Sequence, residues 1–342
     1  MKFFLFLLCI VILSFGFLQF FDLPIEFSLD FIVEPQATPS EEPSFPHAPG
    51  PEEIELAAPG EDFAFSYRGI SLGTSLDKVH SILGAPHSIL PSEYPFQWYI
   101  FHEDYQQYVQ VGIANGHVVA LYSNDAQWQN PWAFDFNTLS TTVESVLGNS
   151  LDRIQKDNII YLLPEDRHYL LFEVERFYLT VFFDIHNNNQ VTSFLLIDQE
   201  IENKYHAPLD PDIALAEAYK EQVFYLTNAI RVRHDLPLLT WHEGAAVTAL
   251  GHSKDMAVQN FFDHRNPQGE DPFDRMAAQG IMYRRAGENI AAGQQNSIFA
   301  HEGWMNSLGH RQAILGDFNS LGVGVHLGGP LDAYYTQNFL SQ

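Results

Sequence analysis

A single cysteine, Cys9, occurs in the 342 residues, so no intramolecular disulfide can hold any part of the chain together. Basic residues are scarce as well. Lys and Arg number 17 against 43 Asp and Glu, a net charge of -26. Such a balance repels phosphate backbones and no basic cluster offsets it, which excludes nucleic acid as a partner. Between Lys2 and Arg68 there is no Lys or Arg, whereas eleven acids lie between Asp22 and Asp62, so much of the excess belongs to one segment. Two hydrolase signatures also fail at the residues that would carry them. His242-Glu243 and His301-Glu302 each begin a His-Glu-x-x-His zinc-protease pattern, but Ala246 and Met305 stand where the second histidine belongs. Ser307, close to His310 in the sequence, does not stand in a Gly-x-Ser-x-Gly nucleophile elbow.

What is present divides the chain into four parts. Residues Phe3 to Phe21 are apolar apart from Ser14, Gly16 and Gln19, and they follow one positive charge at Lys2. That run is long enough to span a bilayer as a helix, and its exit, Leu18-Gln19-Phe20-Phe21-Asp22, offers no small-x-small cleavage pattern. Residues 1–22 are therefore expected to be an uncleaved transmembrane anchor rather than a removed signal segment. The positive-inside rule then puts everything beyond residue 22 outside the cytoplasm. If the segment is instead cleaved, the protein is secreted. Residues 23–64 read as an acidic, Pro-rich linker, extended by self-repulsion.

Residues 65–202 carry an internal repeat. Ile70 to Gly84 matches Phe134 to Gly148 at an offset of 64, with Thr74 on Thr138, Val79 on Val143, and Leu83 on Leu147. Each copy predicts a short helix that starts near Ser75 or Leu139 and is ended by glycine. Alternating aromatic stretches follow, Trp98–Phe101 and Tyr108–Ile113 in one copy, Ile159–Leu163 and Tyr169–Val174 in the other. Each copy closes in a hairpin, with turns at Asn115-Gly116 and at Asn187-Asn188-Asn189. Two α+β units related by duplication are expected. His80, His87, His102 and His117 are scattered through them and read as surface or packing residues.

From 203 to 342 the pattern turns helical. Tyr219, Val223, Leu226 and Ile230 recur as the stripe of one amphipathic helix, and Ala245, Ala249, His252 and Met256 share a face of the next. Asp271-Pro272 opens another helix, which Gly280 closes. Leu321–Val325 and Tyr334–Phe339 read as paired buried strands. Helices around a central antiparallel sheet give an α-β-α sandwich, so the whole chain is of the α+β class.

A series of motifs runs through this last part: Leu238-Leu-Thr-Trp241, Asn260-Phe-Phe-Asp-His264, Asp274-Arg-Met276, Gly287-Glu-Asn-Ile-Ala291, Gly303-Trp-Met-Asn-Ser307, Gly309-His-Arg311, Gly322-Val-Gly-Val325 and Tyr335-Thr-Gln337. Their order resembles that of bacterial CAP domains, the family of cysteine-rich secretory, antigen 5 and pathogenesis-related proteins. The duplicated part is similar to the CAP-associated N-terminal domain that precedes such domains in Bacillus-type surface proteins. The resemblance implies a cleft lined by two His and two Glu, the histidines able to bind a divalent metal. His264 and His310 match those histidines and Glu288 the first acid. Ser307 stands where the second acid is expected, and Glu302 lies nearby at a different helical position.

His264, Glu288, Ser307 and His310 are thus the candidate binding cleft. His264 and His310, with a carboxylate and water, would suit Zn²⁺ or another divalent cation. The same groups would equally serve as a hydrogen-bonded network tying the Gly287 segment to the Gly309 turn. His252 reads as a core histidine. Three readings of function stay open: a surface recognition module for a lipid, peptide or envelope ligand; a metal-dependent or Ser-His hydrolase; and a structural envelope protein whose duplicated domain occludes the cleft.

Overall fold

The structure, a computed structural model, describes residues 65–156, 159–165, 167–204 and 212–341. The expected anchor, Cys9 and the acidic linker lie outside the described residues. No described helix is long and apolar enough to cross a membrane.

The N-terminal unit runs β1 (Ser66–Tyr67), α1 (Leu76–Leu83), β2 (Ser88–Pro91), β3 (Gln97–Glu103), β4 (Gln106–Ala114), β5 (His117–Ser123), β6 (Trp128–Gln129), α2 (Ser140–Leu147), β7 (Arg153–Lys156), β8 (Ile159–Leu162), β9 (Tyr169–Val174), β10 (Phe177–Asp184), β11 (Gln190–Asp198) and α3 (Gln199–Glu202). Its main sheet has the order β2-β3-β4-β5-β11-β10-β9, antiparallel throughout. The two copies meet at the β5–β11 pair, where Phe194 faces Ser123 and Ile197 faces Ala120. Both helices form as the repeat predicts. Ser75 caps α1 by accepting from the Lys78 amide, and Gly84 and Gly148 end α1 and α2 at φ 81° and 85°. Equivalent backbone bonds tie each helix start to its hairpin: Leu76 N to Gly116 O at 2.8 Å, and Ser140 N to Asn189 O at 3.0 Å.

One correspondence shifts. Ile159–Leu162 lies in a separate ribbon with β7, outside the main sheet. The counterpart of Gln97–Glu103 is therefore Tyr169–Val174, and that of Gln106–Ala114 is Phe177–Asp184. The apolar pattern alone does not distinguish a ribbon strand from a sheet strand of the same length.

The C-terminal unit comprises α4 (Ile213–Arg233), β12 (Thr240–Trp241), α5 (Glu243–Gln259), α6 (Pro272–Ala278), β13 (Arg285–Ala292), α7 (Ser297–Asn306), α8 (Leu308–Ile314), β14 (Ser320–Leu327) and β15 (Ala333–Ser341). Its sheet order is β12-β14-β15-β13. Three strands are antiparallel, but the short β12 runs parallel to β14, so the sheet is mixed rather than wholly antiparallel. The Gly287 segment is strand β13 and the Gly309 turn is the first turn of α8. Asp271 makes the full capping box of α6 with Asp274, as Asp-Pro at a helix start suggests.

The layers stack in five. Helices α1 and α2 cover one face of the seven-stranded sheet, giving a core with Val79, Val143, Val111, Leu121 and Phe194. Its other face, with Trp98, Tyr122, Phe182 and Leu195, packs on Ala218, Leu226 and Ala229 of α4 and on Ile298 of α7. Tyr219, Val223 and Ile230 of α4 point the opposite way, into the core with Leu321, Val323, Tyr335 and Phe339. Helix α5 closes the far side of the small sheet. Leu226 thus leaves the expected single stripe, because α4 is buried between two sheets.

Candidate functional site

Strand β13 is an edge strand, and its side chains alternate between two layers. Glu288 pairs with Asn338, whose amide donates to the Ala245 carbonyl of α5 at 3.3 Å, so Glu288 faces the α5 and α6 side. Asn289, next along, faces the α4 side with Gln337, which donates to Thr227 at 2.8 Å.

The Glu288 side chain is 1% exposed and both its oxygens are engaged. Oε2 accepts from Nη2 of Arg275 at 2.7 Å, and Oε1 lies 2.9 Å from Nδ1 of His264. Arg275, on α6, also donates to the carbonyls of His264 at 2.9 Å and Glu270 at 3.0 Å, which locks the loop before α6. A buried carboxylate is stable only when paired and hydrogen-bonded, and Arg275 provides both. Since a carboxylate accepts, His264 donates to it from Nδ1, which in the neutral form of the ring leaves the lone pair on Nε2.

His252, on α5, completes this layer. Its Nε2 is 3.0 Å from the Asp263 carbonyl and 3.9 Å from Glu288 Oε1, and its Nδ1 is buried without a partner. Burial lowers its pKa and outweighs the opposing pull of Glu288, so the ring is neutral. It is a core histidine that also touches the site.

The other expected site residues divide. His310 is half-buried in the first turn of α8, and its carbonyl accepts from Nδ2 of Asn289 at 3.1 Å. His264 and Glu288 are joined by their side chains, whereas His310 is tied to β13 through its backbone carbonyl on Asn289. Ser307 precedes α8 at the N-cap position but makes no side-chain cap. Glu302 turns away from the cleft altogether. It is buried against the N-terminal unit, accepting from Tyr122 Oη at 2.8 Å and Ser193 Oγ at 2.5 Å, and burial raises its pKa. It does not replace the missing second acid.

Arg275 was visible in the Asp274-Arg-Met276 motif, but its role was not, because it reaches across the loop to β13. Two of the four scattered histidines also come together: the His87 and His102 rings lie 4.4 Å apart, and His102 accepts from the Tyr105 amide at 3.1 Å. Burial, then the His87 charge, lowers the His102 pKa to about 4.

A protein-held zinc takes three or four N, O or S ligands. Among the described residues, no group of three or more His, Cys, Asp or Glu side chains is arranged to hold a metal ion. Glu288 is committed to Arg275 and His264. The described residues do not fit a protein-held metal.

One of the open readings has the duplicated domain packing on the cleft and occluding it. Its sheet docks on α4 and α7, whereas Glu288, Arg275 and His252 lie on the α5 and α6 side of the small sheet.

Comparison with known proteins agrees with both halves of this architecture. The profile of the CAP-associated N-terminal domain matches residues 72–207, and that of the cysteine-rich secretory protein family, CAP, matches residues 224–339. The chain is 31% identical over 298 residues to the Bacillus subtilis membrane protein YlbC, spanning 79% of this chain and 82% of that protein. It is 41% identical over 126 residues to YkwD of the same organism, 36% of this chain and 48% of YkwD. The crystal structure of an extracellular protein containing an SCP domain from Bacillus anthracis is similar at a TM-score of 0.69 and 31% identity, covering 85% of this chain and 99% of that one. A cysteine-rich secretory protein from Staphylococcus aureus shares the fold at a TM-score of 0.64 and 17% identity, covering 79% of this chain and 91% of that one. The chain belongs to the CAP family, as a CAP domain preceded by a CAP-associated N-terminal domain.

Proposed function

We propose that the protein is a recognition module on the outer side of the cell envelope, tethered by its N-terminal apolar run, and that the cleft beside β13 binds a peptide. The observation that carries this is the saturated Glu288: both oxygens are engaged inside the protein, so the carboxylate presents His264 rather than reacting itself. Exposed apolar side chains stand in the sequence two positions before His264, Arg275 and His310, namely Phe262, Phe273 and Leu308. Polar groups fixed in place, with apolar surface beside them, suit an extended peptide. The placement outside the cell draws on the apolar run after Lys2, on YlbC being a membrane protein and on the extracellular Bacillus anthracis protein.

Panning a random peptide library against the full purified chain tests the reading. Enriched peptides are expected to bind the wild type, and His264→Ala, folded by circular dichroism, is expected to weaken them about tenfold or more. Enrichment indifferent to His264→Ala sinks the cleft as the binding site.

One observation favours a second reading, hydrolysis: an acid bonded to Nδ1 is the arrangement that orients a general-base histidine. Peptide turnover abolished by His264→Ala would establish it.

A further inference from the structure

We propose that the N-terminal unit positions the cleft of its neighbour, with the turn between β10 and β11 gripping the α7–α8 junction and so fixing where His310 stands. This rests on the recognition reading above. The two copies of the repeat differ at this turn. In the first, Ala114 pairs with His117 across the two residues Asn115-Gly116. In the second, Ile185 to Asn189 intervene, and a short 3₁₀ turn is capped by Asp184, which accepts from the His186 amide at 2.9 Å. The longer turn bonds to the C-terminal unit at the end of α7.

Asn306, the last residue of α7, is held from three directions by that turn. Its Nδ2 donates to the Phe183 carbonyl at 2.9 Å, its Oδ1 accepts from the Ile185 amide at 3.0 Å, and its carbonyl lies 3.2 Å from Nε2 of His186. Arg311, next to His310, donates to Asp184 at 2.9 Å and to the Met305 carbonyl at 3.2 Å. Its side chain is 14% and that of Asp184 16% exposed, so this charged bond is shielded from solvent in a way surface pairs are not.

Ser307 and His310 lie between these two anchors. On the other side, the His310 carbonyl is held by Asn289 of β13. The junction has no side-chain cap of its own. It also borders a cavity of about 240 Å³, lined by Asp184, Arg233, Glu302, Asn306 and Arg311 among others. A helix start beside open space is fixed by its hydrogen bonds more than by close packing. Asp184, Asn306 and Arg311 are therefore positioning residues, and the first of them lies in the other domain.

The test uses the full chain with ¹³C-labelled histidine and the variant Asp184→Asn, which retains the shape but removes the charge. The His310 Cε1–H resonance is expected to shift and broaden while that of His264 stays in place, and affinity for a panned peptide to weaken about three- to tenfold. Asp184→Glu is expected to restore part of both effects, and it is the variant to read if Asp184→Asn does not fold. An unchanged His310 resonance with only a lower melting temperature would overturn the proposal, since a merely structural contact behaves that way. The two readings fail separately: peptide binding that survives His264→Ala defeats the recognition reading, while the His310 resonance still decides the grip.

Discussion

Arg275 donates to three acceptors, two backbone carbonyls and the buried Glu288 carboxylate, and removing that charge leaves a guanidinium 9% exposed with no counter-ion. Glu288→Gln is expected to cost about 3 kcal/mol in urea denaturation, the scale for breaking a buried pair from one side. A loss under about 0.5 kcal/mol would mean that the pair is solvated in practice. Pairing Glu288→Gln with Arg275→Met should recover part of the loss, because the orphaned charge is gone. At this scale the motifs revealed His264 and Glu288 and placed Arg275 in a recognisable string. They did not reveal that Arg275, Glu288 and His264 form one chain of bonds, or that Glu302 points into another domain. Side-chain direction depends on which face of α7 meets the second sheet, and one sequence carries no signal for that.

At the scale of elements, α5 lies so close on β14 that two strand positions admit no side chain. A Cβ on Gly322 would sit 2.1 Å from the Ala246 amide, and one on Gly324 2.0 Å from that of Leu250. Gly324→Ala must push the helix off the sheet, so a loss of about 3 kcal/mol or more is expected in chemical denaturation. Gly303, in the exposed face of α7, has nothing within 4 Å. Gly303→Ala is expected to be neutral or to stabilise by up to about 1 kcal/mol through helix propensity alone. Equal effects from the two substitutions would refute the close helix-on-sheet approach. Helix ends were the most legible elements, because Ser75, Gly84, Gly148 and Asp271 act through local backbone bonds. Strand β13 and the ribbon β7–β8 were not, since Gly287-Glu-Asn has no alternating apolar pattern and the ribbon resembles any half-exposed strand. α4 was legible as a helix but misleading as a stripe, because a helix buried on two sides has no polar face to mark the other.

Across the whole molecule, the two domains share one interface whose buried acids were not expected from the sequence. Glu93, just after β2, accepts from Asn296 at the start of α7 at 2.5 Å through Oε1, while its Oε2 is buried without a partner. Burial raises its pKa from 4.5 to about 7, against the lowering effect of the Asn296 bond. The unfolded chain loses this proton near 4.5, whereas the folded protein keeps it until about 7. Between those values unfolding releases a proton, so the contribution of Glu93 to stability is complete below about 4.5 and is lost as pH rises towards 7. Glu93→Gln mimics the protonated form at every pH. Its stability relative to wild type is therefore expected to rise across that window, reaching about 1 to 2 kcal/mol in its favour at pH 7 after allowance for solvent screening. Denaturation of both proteins at several pH values between 4 and 8 measures the difference directly. A difference independent of pH would mean that Glu93 loses its proton in the folded protein as readily as in the unfolded chain, with its unpartnered oxygen reached by water. A rising one would make the domain contact at the start of α7 weaker at neutral than at acidic pH.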